Sequence, residues 1–146
     1  MHKVALVVLL ALAMPLFGSS ADEAEIRAVV EKYFLAHATG QGAPLLEAFH
    51  PDWRMLWVKD GALVTRTRDE YTSGFKGTPP ADETNRKRSI EMIDVTGNAA
   101  VAKVRLDYPA TTFVDYMLLL KIDGRWQVVT KAFNATPKAP AAKDPR

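Results

Sequence analysis

Cysteine is missing from all 146 residues. That excludes a disulfide framework, a thiol nucleophile, a thiolate metal site and a lipid-anchoring residue. Histidine is almost as scarce. His2, His37 and His50 fall at no paired-ligand spacing such as HxxxH, so no metal site is expected. No serine stands in a nucleophile-elbow context and no glycine-rich loop is present to cradle phosphate, so no cofactor is expected either. Charge of one sign is lacking too: 19 Lys and Arg face 17 Asp and Glu. Without residues 1–21 the net charge is +1, and without residues 137–146 as well it is near −1. A nucleic-acid binder would be plainly basic, so no such partner is expected. Arg86-Lys87-Arg88 reads as the start of a strand with solvated alternate side chains.

The one long apolar run lies at the start. Met1-His2-Lys3 is basic, residues 4–13 are apolar throughout, Pro15 to Gly18 break the run, and Ser19-Ser20-Ala21 are small. This predicts a secretory signal peptide over residues 1–21, cut near Ala21, and too short to anchor in a bilayer. A periplasmic or secreted protein follows, with no membrane contact after cleavage. The remainder predicts one domain over residues 22–136 and a proline-rich, disordered tail over 137–146.

Along that domain, Ile26, Val29, Val30, Tyr33, Phe34 and His37 form the stripe of an amphipathic helix over residues 25–39, capped by Asp22 and stopped by Gly40. A short helix follows Gly42, burying Leu45, Leu46, Ala48 and Phe49, and His50-Pro51-Asp52 ends it. Residues 53–58 and 62–67 read as a hairpin around Lys59-Asp60-Gly61, and Thr67 with Glu70 sets a capping box for a third helix. Residues 74–82 are a Gly- and Pro-rich loop able to move as a lid. Longer strands over 85–95, 99–108, 112–122 and 125–134 follow, joined at Thr96-Gly97-Asn98 and Asp123-Gly124 by tight turns that pair neighbours antiparallel. Helices first and antiparallel strands after predict an α+β fold: a curved antiparallel sheet on a long N-terminal helix and two short ones, leaving an open cone.

AFHPD, GNAAVAKVRLDYP and above all FVDYMLLLKIDGRWQVVTKAF resemble the nuclear transport factor two-like (SnoaL-like) superfamily, with the closest match in its bacterial lumazine-binding branch. The resemblance covers residues 25–136. It implies a cone-shaped, cystatin-like barrel, often dimeric, with an apolar pocket between helix and sheet. Members include isomerases, cyclases, dehydratases and non-catalytic binders, and fold alone does not choose among them.

The Asp123-Gly124 turn predicts that Tyr116 faces Lys131 and that Leu118 faces Val129. On that register Val114, Tyr116, Leu118, Leu120, Val129, Lys131 and Phe133 share one face. Phe113, Asp115, Met117, Leu119, Trp126 and Val128 share the other. In the steroid-isomerase branch the pocket groups align with Leu118 and Phe133, so the resemblance assigns the first face to the pocket, which leaves the second for a dimer contact or a covering loop. Lys131 then reads as an anchor for a ligand anion or a base with a depressed pKa, or else as a solvated lysine at the rim. Tyr33 aligns with the oxyanion-binding tyrosine of that branch, or is a core aromatic. The branch's carboxylic acids fall on Trp57 and Leu118, which argues against steroid-isomerase chemistry. His50 with Asp52, His37, Asp115, Asp107 and Arg88 are further polar candidates. Trp53, Trp57, Tyr71 and Phe75 are candidate aromatics for the mouth or for the core.

Two function classes follow, beside a third reading as a dimeric accessory domain whose apolar outer face binds protein. One is a binding domain for a small apolar or aromatic molecule, forming a homodimer. The other is a lyase or isomerase acting on a small hydrophobic substrate in the same pocket. Titratable groups converging on one cavity within hydrogen-bond reach favour the enzyme.

Overall fold

The computed structural model describes residues 20–139. The predicted signal peptide, save its last two residues, and the tail beyond Ala139 lie outside the described residues. Helix α1 (Ser20–Thr39) starts five residues before the expected one. Asp22 is therefore no cap. Its Oδ1 accepts from Lys121 Nζ at 2.7 Å and Trp126 Nε1 at 3.0 Å, tying the helix to the sheet. Ile26, Val30, Tyr33, Phe34 and Ala36 are the buried stripe.

Helix α2 (Ala43–Ala48) buries Leu45 and Ala48 but leaves Leu46 exposed. Strand β1 (Phe49–Lys59) begins at once, its register breaking between Phe49 and Arg54 around Pro51, which has no N–H to give a ladder. The hairpin with β2 (Ala62–Thr67) turns at Asp60 and Gly61, both at positive φ. Helix α3 (Arg68–Thr72) carries the expected capping box: the Thr67 side chain accepts from Glu70 N–H, and Glu70 accepts from Thr67 N–H. A 3-10 turn (Glu83–Asn85) precedes β3 (Lys87–Thr96), β4 (Ala99–Asp107), β5 (Thr111–Ile122) and β6 (Arg125–Pro137). Pro137 closes β6, and Lys138 N–H donates to Ala110 O, so ordered backbone runs past residue 136.

Among the described residues the strands form one sheet in the order β2-β1-β6-β5-β4-β3. Its pairs are antiparallel except β1 with β6, which is parallel, a pairing the hairpin signals could not reveal. Its inner face closes on α1 around Trp53, Phe49, Met117, Leu119 and Val128.

The 74–82 loop is held down. Gly77 N–H donates to Gly40 O at 2.7 Å. Gly40 sits at φ +69°, and a Cβ there would meet Thr78 O at 2.0 Å, so helix end and loop approach more closely than any side chain permits.

Candidate functional site

The decisive local feature is one extra residue in β6. From the Asp123-Gly124 turn the pairs run as expected as far as Leu119 with Val128, and the next is Leu118 with Thr130. Val129 is the residue of a β-bulge. Beyond it every side chain of β6 changes its partner by one: Lys131 pairs with Met117 and Phe133 with Asp115. The expected pairing of Lys131 with Tyr116 is therefore wrong. Lys131 and Phe133 do line the interior, but on the face of Asp115, Met117 and Leu119. Val114, Tyr116, Leu118 and Leu120 lie on the outer face, and Val129 is outside the cavity wall. On β5 the two faces exchange the roles the register assigned them, while Lys131 and Phe133 of β6 keep the pocket.

On the inner face is a cavity of about 430 Å³. Of the expected site residues, Tyr33, Tyr71, Lys131 and Phe133 line it. Trp53 does not: it is fully buried, stacked on Phe49 with centroids 4.4 Å apart. Trp57 packs outside the cavity on Phe133, under the Arg66 guanidinium. His50 also lies elsewhere, accepting from Asp52 N–H in a local turn, while the Asp52 side chain stays exposed.

Three polar groups converge at the deep end. Tyr33 OH donates to Asp115 Oδ2 at 2.6 Å. Lys131 Nζ donates to Tyr33 OH at 3.0 Å and to Asp115 Oδ2 at 3.3 Å. The Lys131 and Asp115 side chains are 5% and 1% exposed, which rules out a rim lysine. Lys131 also lies about 5 Å from the ring centres of Tyr33, Tyr71 and Phe133, where their negative faces attract the ammonium. Burial pulls against the ammonium, but Tyr71 and Asp115 outweigh it, and Lys131 titrates above its ordinary value. The depressed pKa is thereby overturned. Burial, then the Asp115 charge, pushes the Tyr33 phenol well above its ordinary value, so it remains a donor.

His37 Nε2 lies 2.9 Å from Tyr71 OH. Burial, followed by the charges of Lys131, Arg88 and Arg86, lowers its pKa to about 3, so the imidazole is neutral. Asp115 Oδ1 is buried and accepts from no described group, although two of the residue's neighbours are cationic or phenolic. Expecting Trp57 and Leu118 opposite Tyr33 hid this carboxylate. Asp82, Arg86, Tyr108 and Phe113 also line the cavity. Among the described residues no group of three or more His, Cys, Asp or Glu could hold a metal ion.

A family model described as "Putative lumazine-binding" matches residues 21–134. The chain belongs to this family. As a lumazine-binding family member it shares the NTF2-like fold of solved structures. An NTF2-like protein from Shewanella baltica OS155 is 25% identical with a TM-score of 0.73, covering 82% of this chain and 98% of its own. One from Methylobacillus flagellatus KT is 28% identical with a TM-score of 0.69, covering 84% and 98%. A curated protein named Aldolase FrzH, from a Cladobotryum species, is 28% identical over 108 residues, 73% of this chain and 85% of that one.

Proposed function

We propose that the cavity binds a small, largely aromatic molecule bearing a carbonyl or hydroxyl, and that the deep polar cluster performs proton transfer on it, in the manner of a lyase or isomerase. The observation carrying this reading is the convergence of Tyr33, Asp115 and Lys131 within 3.3 Å at the end of an aromatic cavity. Burying an ion pair costs desolvation, and titratable groups gathered in a cleft mark a candidate site for proton transfer. Asp115 Oδ1, buried and without a donor among the described residues, takes a proton from carbon next to a carbonyl. The charge then develops on the carbonyl oxygen, within reach of the third Lys131 N–H. Asp115 returns the proton to the neighbouring carbon to yield the isomer. In an aldol addition the enolate carbon attacks a second carbonyl, whose π bond opens to an alkoxide that takes the proton from Asp115. Cleavage is the reverse, with Asp115 removing the hydroxyl proton as the carbon–carbon bond breaks to the enolate. An amine held as ammonium is no nucleophile, so imine formation on Lys131 is not part of this reading. The aldolase name of one relative is consistent with it.

The test uses 4-hydroxyphenylacetone in D2O, with loss of the protons next to the carbonyl followed by NMR. Exchange about 10² or more faster in the wild type than in Asp115→Asn supports proton transfer. Binding of the ketone with identical exchange in both leaves a binding domain.

We also infer export and self-association. Export rests on residues 1–21, and N-terminal sequencing of exported protein should begin near Asp22. Self-association rests on the outer sheet face, where Tyr116 and Leu118 are half exposed and Val58 and Leu63 are more exposed still. Monomers seldom leave so much apolar surface in water.

A further inference from the structure

We propose that Arg86 selects a carboxylate: the ligand of this cavity is a small aromatic acid, its carboxylate on the Arg86 fork and its oxygen function at the Tyr33–Asp115–Lys131 end. This rests on the small-molecule reading above and names the substrate class of the same site.

Four observations carry it. Arg86 lines the cavity, with its side chain 21% exposed against 5% for Lys131, so it marks the solvent side of a pocket whose deep end is dry. Its guanidinium lies over the Tyr108 ring at 4.2 Å from the centroid, which fixes its plane. Asp82 Oδ1 takes its Nε at 2.8 Å, while Nη1 and Nη2 donate to no described group. Those terminal nitrogens are the pair that grips a carboxylate bidentately.

The neighbouring arginine shows the contrast. Arg88 spends both terminal nitrogens on Glu83, at 2.6 and 2.7 Å, and its Nε on Tyr108 OH. One arginine is consumed by the fold and the other is left with its fork open. Both Glu83 oxygens are taken by Arg88, and among the described residues Asp82 is the carboxylate hydrogen-bonded to Arg86.

Between the two polar ends the wall is Tyr71, Tyr108, Phe113 and Phe133, which suits a flat ring. Asp115 Oδ1 lacks a donor and Lys131 retains an N–H, a combination a hydroxyl satisfies from both sides.

The experiment is calorimetric titration of the full chain with 4-hydroxycinnamate and its uncharged amide, 4-hydroxycinnamamide. The acid is expected to bind about tenfold or more tighter, as for a hydrogen bond to a charged group. Arg86→Gln should bring acid and amide to equal affinity. Asp82→Asn, which removes the competing carboxylate, should hold or raise acid affinity. Both variants break the same ion pair, and Arg86→Gln also loses its contact with the Tyr108 ring, so its melting temperature should fall at least as far as that of Asp82→Asn. A purely structural Arg86 would give those falls with the acid preference unchanged. Equal binding of acid and amide to the wild type, a preference that survives Arg86→Gln, or no binding of either probe at millimolar concentration each overturns the proposal. Acid preference with no Asp115-dependent exchange would sink proton transfer alone, and exchange without acid preference would sink the Arg86 assignment alone.

Discussion

Lys131 Nζ and Asp115 Oδ2 lie 3.3 Å apart, with Tyr33 OH bridging them, on neighbouring strands of the buried sheet face. Because neither charge meets water, each depends on the other. Lys131→Met leaves an uncompensated carboxylate and should cost about 3–5 kcal/mol. A solvated rim lysine would have given no loss at all. The double variant Lys131→Met with Asp115→Leu should recover most of that loss. Urea unfolding of the four proteins measures it, and a single variant as stable as the wild type would show that the pair is not formed.

The pH dependence follows from His37. Its folded pKa, about 3, lies below its ordinary 6.5, so folding favours the neutral ring. The stabilisation is complete above 6.5 and is lost as pH falls from there toward 3. Between pH 7 and pH 5 the protein should lose about 2 kcal/mol from this group. His37→Gln keeps a partner for Tyr71 and should flatten that slope in paired denaturation curves. An NMR titration placing the His37 pKa near 6.5 would remove the cause.

Gly40 and Gly61 both sit at positive φ, but only Gly40 has backbone against it. Gly61→Ala should cost about 1–2 kcal/mol, the left-handed penalty alone. Gly40→Ala adds a collision with Thr78 O and should cost about 3 kcal/mol or more, raising amide exchange across residues 74–80. Equal losses at the two sites would mean that the loop yields freely and can serve as a lid.

The outer face is tested at Leu118. Leu118→Glu should convert a dimer to a monomer in sedimentation velocity while leaving the melting temperature of the monomer intact, since the side chain is half exposed. Met117 is fully buried in the core, so a charge there should unfold the chain instead of splitting a dimer. A wild type that sediments as a monomer at micromolar concentration would leave the apolar face to another partner.

Much of the architecture could be read from local chemistry. The α1 stripe, the Thr67–Glu70 box, the Asp60-Gly61 and Asp123-Gly124 turns and the alternation of β4 and β5 depend on residues within a few positions of one another, so propensity and period suffice for them. The site did not yield in the same way. Each strand face was identified as a set, but matching the sets of β5 and β6 depended on counting from a turn, where a bulge inverts everything beyond it, and the choice of the inward face rested on the resemblance. No residue near Val129 announces the bulge: it is not glycine, and β6 has no break in its pattern. The parallel pairing of β1 with β6 and the docking of α1 accompany this shift and bring Lys131 under Tyr33. Composition and short-range pattern thus determined the class of fold and the elements, and the resemblance implied a pocket between helix and sheet. Only the tertiary structure decided that Asp115 and Lys131 share it, because a one-residue register shift has no local energetic signature and shows itself only when two strands and a helix must bury their charges together.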